Sequence, residues 1–344
     1  MTWTVAIGID THGDEHVAVA FDRLGRQLDA RSEPASTAGY LALWRWATAL
    51  GEPAFAIEGV GSYGAGLTRF LHASGGCVYE CERPRRRERR RGKSDLRDAA
   101  LAGRRLLSGE GLSRPRGGGR REDLRLLLSE RRGAVRAQTA TLNQLQAVLV
   151  VAPERLRRRL AELRGERLVA ACACLRPGPA SARVPASVLR RLGRRAQALA
   201  EELAALDSEL EQLVAELVPE LLTECGVGPV CAAQLVVSSG DPRRMRKESA
   251  FAALAGTSPV DASSGKQQRH RLNRGGDRQL NRALHVIALN RVRHHEQTAA
   301  YYRRLLDSGK SAREARRCVK RALARHFYRR LCELSPLQEV PLHA

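Results

Sequence analysis

Val5-Ala6-Ile7-Gly8-Ile9-Asp10 is a short apolar strand that ends in a carboxylate, and the polar turn Thr11-His12-Gly13-Asp14 follows it at once. Such residues favour an extended chain and the turn marks where it stops, so Asp10 stands at a strand tip. His16 to Phe21 (HVAVAF) is again apolar and β-prone, and after a turn at Arg23-Leu24-Gly25 a third strand runs from Gln27 to Arg31. The chain therefore opens as a three-stranded meander. Tyr40, Leu41, Leu43, Trp44 and Trp46 lie at helical spacing between Thr37 and Leu50. Ala54 to Glu58 (AFAIE) is a further strand that ends in an acid, before a Gly-rich turn over 59–64. Leu67, Phe70 and Leu71 mark a helix, Cys77 to Tyr79 a strand, and Asp95 to Leu107 another helix.

The order β-β-β-α-β-α-β-α is the ribonuclease-H-like (RuvC-like) arrangement, in which acids from the first strand, a later strand and a late helix converge on paired metal ions. Asp10 and Glu58 supply two carboxylates from strand tips. Asp95 and Asp98, three residues apart, share a helical face and supply two more. Two divalent ions about 4 Å apart can clamp an attacked phosphate, and hard oxygen ligands neutralise their charge. Singly, Glu58 would only begin a turn, and Asp95 and Asp98 would only favour a helix N-terminus through its dipole. Jointly they point to a Mg²⁺ site, with Mn²⁺ as a substitute.

The 344 residues suit two or three domains, and 43% hydrophobic content supports real cores. The 59 basic and 37 acidic residues give a net charge of +22, which matches a polyanion such as DNA or RNA. All but five of the basic residues are Arg, whose planar fork grips phosphate bidentately, although a GC-rich genome would also enrich it. The run Arg83 to Lys93 leads straight into the acidic helix, so Arg85, Arg86, Arg87, Arg89, Arg90, Arg91 and Lys93 are candidate phosphate contacts. The eight cysteines show no Cys-x-x-Cys or zinc-site spacing and read as reduced, structural thiols. No secretory signal and no uncharged run of membrane-spanning length is apparent, so a soluble, cytoplasmic protein with no membrane partner is expected.

Beyond a linker at 117–119, Leu124, Leu128, Val135, Leu142, Leu145 and Leu149 mark a long helix. Pro177, Pro179 and Pro185 interrupt the middle. Leu189, Leu192, Ala196, Leu199, Leu203, Leu206, Leu210, Leu213 and Leu217 then keep a heptad until Pro219. These helices can pair as a hairpin, within an intrachain bundle or with a second subunit. Glu224-Cys225-Gly226-Val227-Gly228-Pro229 has the helix-hairpin-helix pattern, in which Gly226 and Gly228 let backbone amides approach a phosphate. The basic stretch that follows offers Lys266, Arg269, Arg271 and Arg274. Asp277 starts a helix, and Ser311 with Glu314 forms a capping box for a terminal helix. In that helix Arg316, Arg317, Lys320, Arg321 and Arg325 leave Val319, Leu323, Phe327 and Leu331 to face a core. The expected organisation is an α/β domain over 1–115, a helical coiled-coil connector over 116–218, a mostly helical domain over 219–335 and a tail over 336–344.

Several spaced motifs together resemble one family, the DEDD-type transposases of small bacterial insertion sequences, also described as bridge-RNA-guided recombinases. The carriers are IGIDTH (7–12), AIEGVGSYG (56–64), KSDLRDA (93–99), GVGP (226–229), GTSP (256–259), SSGK (263–266) and RGGDRQLNRAL (274–284). The resemblance implies a RuvC-like domain with the acidic tetrad Asp10, Glu58, Asp95 and Asp98, a coiled-coil connector, and a C-terminal transposase domain that supplies a serine nucleophile. By position that serine is Ser264, with Ser263 beside it as an alternative. The implied partners are donor and target DNA, a noncoding guide RNA and further copies of the chain, as a dimer or tetramer. A structure-selective junction nuclease would need only the tetrad and leaves the C-terminal region without a role. A kinase of the actin-like class would need a later Gly-Gly adenosine motif at a strand end, where the sequence shows none, and +22 fits a nucleotide enzyme poorly. A non-catalytic nucleic-acid scaffold has no use for four acids.

Overall fold

The computed structural model describes residues 3–81, 94–115, 119–176, 180–242, 245, 247–261, 270–271, 273 and 275–334, with the backbone alone at 180, 181, 261, 270 and 271. The chain forms two compact units that divide at residue 118.

The first unit is a mixed α/β sheet with helices on both faces, consistent with the ribonuclease-H-like arrangement. Its elements are β1 (Val5–Thr11), β2 (Glu15–Phe21), β3 (Gln27–Pro34), α1 (Thr37–Leu50), β4 (Pro53–Glu58), α2 (Ala65–Ala73), β5 (Cys77–Cys81), α3 (Asp95–Ser108) and β6 (Leu112–Ser113). The sheet order is β3-β2-β1-β4-β5-β6. β1 runs parallel to β4, and β4 to β5, while β2, β3 and the two-residue β6 pair antiparallel to their neighbours. β6, at the edge beside β5, is the one strand of this unit that the sequence pattern does not signal.

Strand alternation sorts side chains into two layers. Ile7, Ile9, Phe55 and Ile57 are fully buried against Leu43, Trp46, Leu67 and Leu71 of α1 and α2. Each such side chain contributes about 1.5–3 kcal/mol by leaving water. Ala6, Ala54, Ala56 and Val19 face the other way, onto Ala99, Ala102 and Leu106 of α3. Small residues on that face let α3 come close. A Cβ on Gly8 would collide with the Ala99 carbonyl oxygen and stand 2.7 Å from the Gly103 Cα, and a Cβ on Gly103 would stand 2.7 Å from the Phe21 ring. The two glycines let a helix lie directly on β1.

The second unit is helical. α4 (Arg120–Val151) and α7 (Ala180–Leu217) form a long antiparallel hairpin, with α5 (Glu154–Leu160) and α6 (Gly165–Ala173) at its far end. Arg120 pairs with Glu216 and Arg131 with Asp207, which gives the direction. α7 begins before Pro185 and carries it as an internal residue, so that proline does not interrupt the helix as expected. Leu189, Leu192, Ala196, Leu206, Leu210 and Leu213 of the heptad are buried within this one chain. The seam is therefore occupied internally and carries no argument for a second subunit. On α4 the inward places of Val135 and Leu142 pass to Ala134 and Thr141, a register one residue earlier.

The remaining elements are α8 (Pro219–Leu222), α9 (Pro229–Ser239), α10 (Glu248–Leu254), β7 (Val260–Asp261), β8 (His270–Arg271), α11 (Arg278–His294), α12 (Glu296–Asp307) and α13 (Ala312–Glu333). Leu124, Leu128, Leu210, Leu213 and Val218 at the hairpin's base share one core with Val236, Phe251, Leu284, Ile287 and Phe327. No break falls at residue 218. The Ser311–Glu314 capping box is present, and Val319, Leu323, Phe327 and Leu331 face the core as their spacing requires. Among the described residues no helix is long and apolar enough to cross a membrane.

All three tryptophans, Trp3, Trp44 and Trp46, lie in the first unit, so tryptophan fluorescence reports on it alone. Gly8→Ala should destabilise that unit by about 3 kcal/mol or more, because the added methyl meets backbone that cannot yield. A urea midpoint unchanged by Gly8→Ala would refute this packing. His16 is fully buried, stacks on Tyr40 with ring centroids 5.7 Å apart, and has no hydrogen-bond partner at either ring nitrogen. Burial pushes its pKa below the ordinary 6.5, and the nearby Glu15 backbone offsets this only in part. The folded state thus holds the neutral ring, while the unfolded chain takes up a proton as pH falls through 6.5. Stability should therefore decline below that pH until the folded-state pKa is reached. His16→Phe should flatten this part of the fluorescence-detected pH–stability curve.

Candidate functional site

β1 and β4 are adjacent and parallel, with Ile9 opposite Ile57, so the next residues on each, Asp10 and Glu58, emerge side by side at the same end of the sheet. Both lie on the face covered by α3. Glu58 pairs in register with Cys81, and its charge reinforces the burial that pushes the Cys81 thiol up to about 11. The Thr11 hydroxyl donates to the Glu58 carbonyl oxygen at 2.8 Å, which ties the two strand tips together. α3 begins at Asp95, and its first turn brings Asp95 and Asp98 over the tip of β1.

The centre contains a residue that the tetrad omits. His12 Nε2 lies 3.2 Å from Asp10 Oδ2 and 3.3 Å from Asp95 Oδ1, and the ligand atoms of Asp10, His12 and Asp95 all fall within 4.8 Å of one another. Asp10 is 8% exposed. Burial raises its carboxyl pKa, His12 opposes that rise, and the charges of Asp98 and Asp95 add to it. A desolvated acid among other acids is relieved by a cation, and carboxylate oxygens with one imidazole are a donor set for a divalent metal. Asp10, His12 and Asp95 could hold such an ion directly, with Glu58 and Asp98 bordering them. His12 stands two residues beyond the strand-tip acid, and that spacing was the available sequence signal.

Of the remaining candidates, Arg85, Arg86, Arg87, Arg89, Arg90, Arg91 and Lys93 lie outside the described residues, as do Ser263, Ser264, Lys266, Arg269 and Arg274. Arg271 is placed by its backbone in β8, opposite Val260. Gly226, at φ 80°, presses on α11, where a Cβ would meet Asn290 Cβ at 3.0 Å. Gly228 begins α9 with open space beside it. Glu224 anchors this turn by accepting from Arg291 at 2.5 Å, His326 at 3.0 Å and Arg330 at 3.2 Å. Burial alone would raise the Glu224 pKa, but His326 and Arg291 outweigh it and hold it low.

The β7–β8 pair is held at its root by a set of polar contacts. Asn281 Nδ2 donates to the Ala255 carbonyl at 2.6 Å, the Asp277 amide donates to the Leu254 carbonyl at 2.6 Å, and Lys320 Nζ donates to Asn281 Oδ1 at 2.7 Å. Asp277 also caps α11 and accepts from the Ser238 hydroxyl at 2.6 Å. Lys320 is thus a correction to the sequence reading, which grouped it with the outward basic residues of α13: it is 9% exposed and turned inward.

Two family models match the chain. One, described as a transposase of the DEDD IS110 type, covers residues 7–152, and so holds β1, β4 and α3 with all four acids. The other, described as Transposase IS116/IS110/IS902 family, covers residues 219–303, from α8 into α12. The chain belongs to the DEDD-type IS110 transposases of insertion sequences. It is accordingly a DNA transposase, an enzyme of DNA recombination, with DNA as a partner. No curated protein matches it.

Mn²⁺ binding followed by calorimetry tests the metal centre. Asp10→Asn should weaken binding by at least about tenfold, the lower end of what disturbing a metal ligand's surroundings costs. Asp14→Asn, in the same turn but outside the cluster, should leave it unchanged. Equal affinities in the two variants would place the ion elsewhere.

Proposed function

We propose that this transposase cuts and rejoins DNA at a Mg²⁺ centre built from Asp10, Glu58, Asp95 and Asp98, with His12 as an added ligand or orienting group, and that Ser264 is the nucleophile. The convergence of the β1 and β4 tips with the first turn of α3 carries this reading. Mg²⁺, or Mn²⁺ in its place, would polarise the attacked phosphate. The protein's own part is to gather the acids, to hold Asp10 ionised within a buried setting, and to deliver a hydroxyl. Ser264 Oγ forms the new bond to phosphorus as the bond to one DNA strand's oxygen breaks, and the proton leaves with that strand. Ser263 is the neighbouring alternative.

We further assign phosphate-contact roles to the arginines of 85–91 with Lys93, to the Gly226–Gly228 turn acting as a helix-hairpin-helix, and to Lys266, Arg269, Arg271 and Arg274. The α4/α7 hairpin acts as the coiled-coil connector. Selection of donor and target DNA by a noncoding guide RNA rests on the family resemblance and on the net charge of +22, and action as a dimer or tetramer on the family resemblance.

One DNA reaction resolved on denaturing gels tests the scheme. Wild type and Ser263→Ala should give a protease-sensitive protein–DNA adduct, and Ser264→Ala should give none. Asp10→Asn should abolish strand cleavage while duplex binding stays nearly intact. Adduct formation by Ser264→Ala would remove the serine assignment, and cleavage at wild-type rate by Asp10→Asn would remove the tetrad.

A further inference from the structure

The far end of the α4/α7 hairpin is a small folded body of its own. Leu145 and Ala152 near the end of α4, Leu156 and Leu160 of α5, Leu168 and Cys172 of α6, and Leu189 and Leu192 of α7 form a buried cluster separate from the larger core at the hairpin's base. Gly193 allows α6 to lie against α7. A Cβ there would stand 2.6 Å from the Ala173 amide nitrogen and 2.9 Å from the Val169 carbonyl oxygen.

The surface of this knob is predominantly positive. Residues 152–195 include twelve arginines and three glutamates, whereas residues 196–218, which continue the same helix, include six acids and neither Lys nor Arg. A genome-wide bias toward Arg would scatter it along α7, but the helix changes sign where the knob ends. Arg157, Arg158, Arg159, Arg191, Arg194 and Arg195 are all exposed. Among the described residues the knob has one ion pair, Arg158 with Glu154 at 2.6 Å. Along the shaft, by contrast, the acids of α7 answer Arg120 and Arg131 of α4. Crowded like charges oppose the compact state unless a partner neutralises them.

The knob contains no Phe, Tyr or Trp, so it has no platform on which unpaired bases could stack. It offers exposed guanidinium forks on helices, which suit the phosphates of a duplex and carry no sequence preference. We propose that the knob is a separate DNA-contacting body that grips the backbone of duplex DNA. The proposal rests on DNA being the substrate. Leu192 in the knob core and Leu213 in the base core lie about 32 Å apart along α7 at 1.5 Å per residue, close to one turn of B-DNA. The knob's contact should therefore fall about ten base pairs from any contact made by the base of the hairpin.

The test uses the full-length protein on a duplex of about six helical turns, with salt titration and hydroxyl-radical footprinting. In the quadruple variant Arg158→Gln, Arg159→Gln, Arg194→Gln, Arg195→Gln, the slope of log K against log salt should become shallower by about two to four. An outer patch of protection should vanish while the inner patch stays. Gly193→Val, which unseats α6 from α7, should remove the same outer patch. Unchanged slope and footprint in the quadruple variant, with its helical circular dichroism intact, would overturn the proposal. So would a loss seen with duplex RNA of the same sequence and not with DNA, which would make RNA the occupant. Wild type that protected no DNA at all would overturn the substrate reading together with this one, whereas inner protection with no outer patch would overturn this one alone.

Discussion

The close approach of Gly8 and Gly103 sets the geometry on which the N-terminal unit depends. With no side chain on either residue, α3 rests on the backbone of β1, and its first turn hangs over the end of that strand. A larger residue at either place would lift the helix, and with it Asp95 and Asp98, away from Asp10. Ordinary hydrophobic packing on the other face, through Ile7, Ile9, Phe55 and Ile57, holds the sheet against α1 and α2. The chemistry is therefore positioned by two absent side chains as much as by four present carboxylates.

Much of this unit was legible because its strands are strongly patterned and end abruptly. Asp10, Glu58, Asp95 and Asp98 each follow or begin a clear apolar run, so their elements and their ends could be read together. A turn residue has no periodicity to mark it, so His12 had only its two-residue spacing from Asp10 as a signal, and its approach to Asp95, remote in sequence, shows its place. β6 is two residues long and pairs at a sheet edge, which leaves no pattern to detect.

In the helical unit the difficulty lay in assigning partners. A heptad specifies that a seam exists but not which surface fills it, and here Arg131 of α4 is matched by Asp207 of the same chain. α12 escaped the sequence reading because it buries no residue fully, its inward Tyr301 and Tyr302 being only partly covered by the core. Lys320 looked like one more surface cation because its burial comes from Asn281 and the loop root it faces, both distant in sequence. Pro185 sits inside α7 where local rules place a break.

The alternation along β1 has an evolutionary consequence. Ile7 and Ile9 serve one layer while Ala6, Gly8 and Asp10 serve the other, so a single inserted or deleted codon between 5 and 10 would exchange the two sets. Asp10 would enter hydrocarbon, and isoleucine would be driven onto Gly103. Copies of this element that drift in length should therefore do so at turns such as 22–26, where the meander reverses, and keep the spacing inside the strand unaltered. Within β1, loss of activity and loss of folding would then arise from the same frameshift-like slip, and intermediate forms would be scarce.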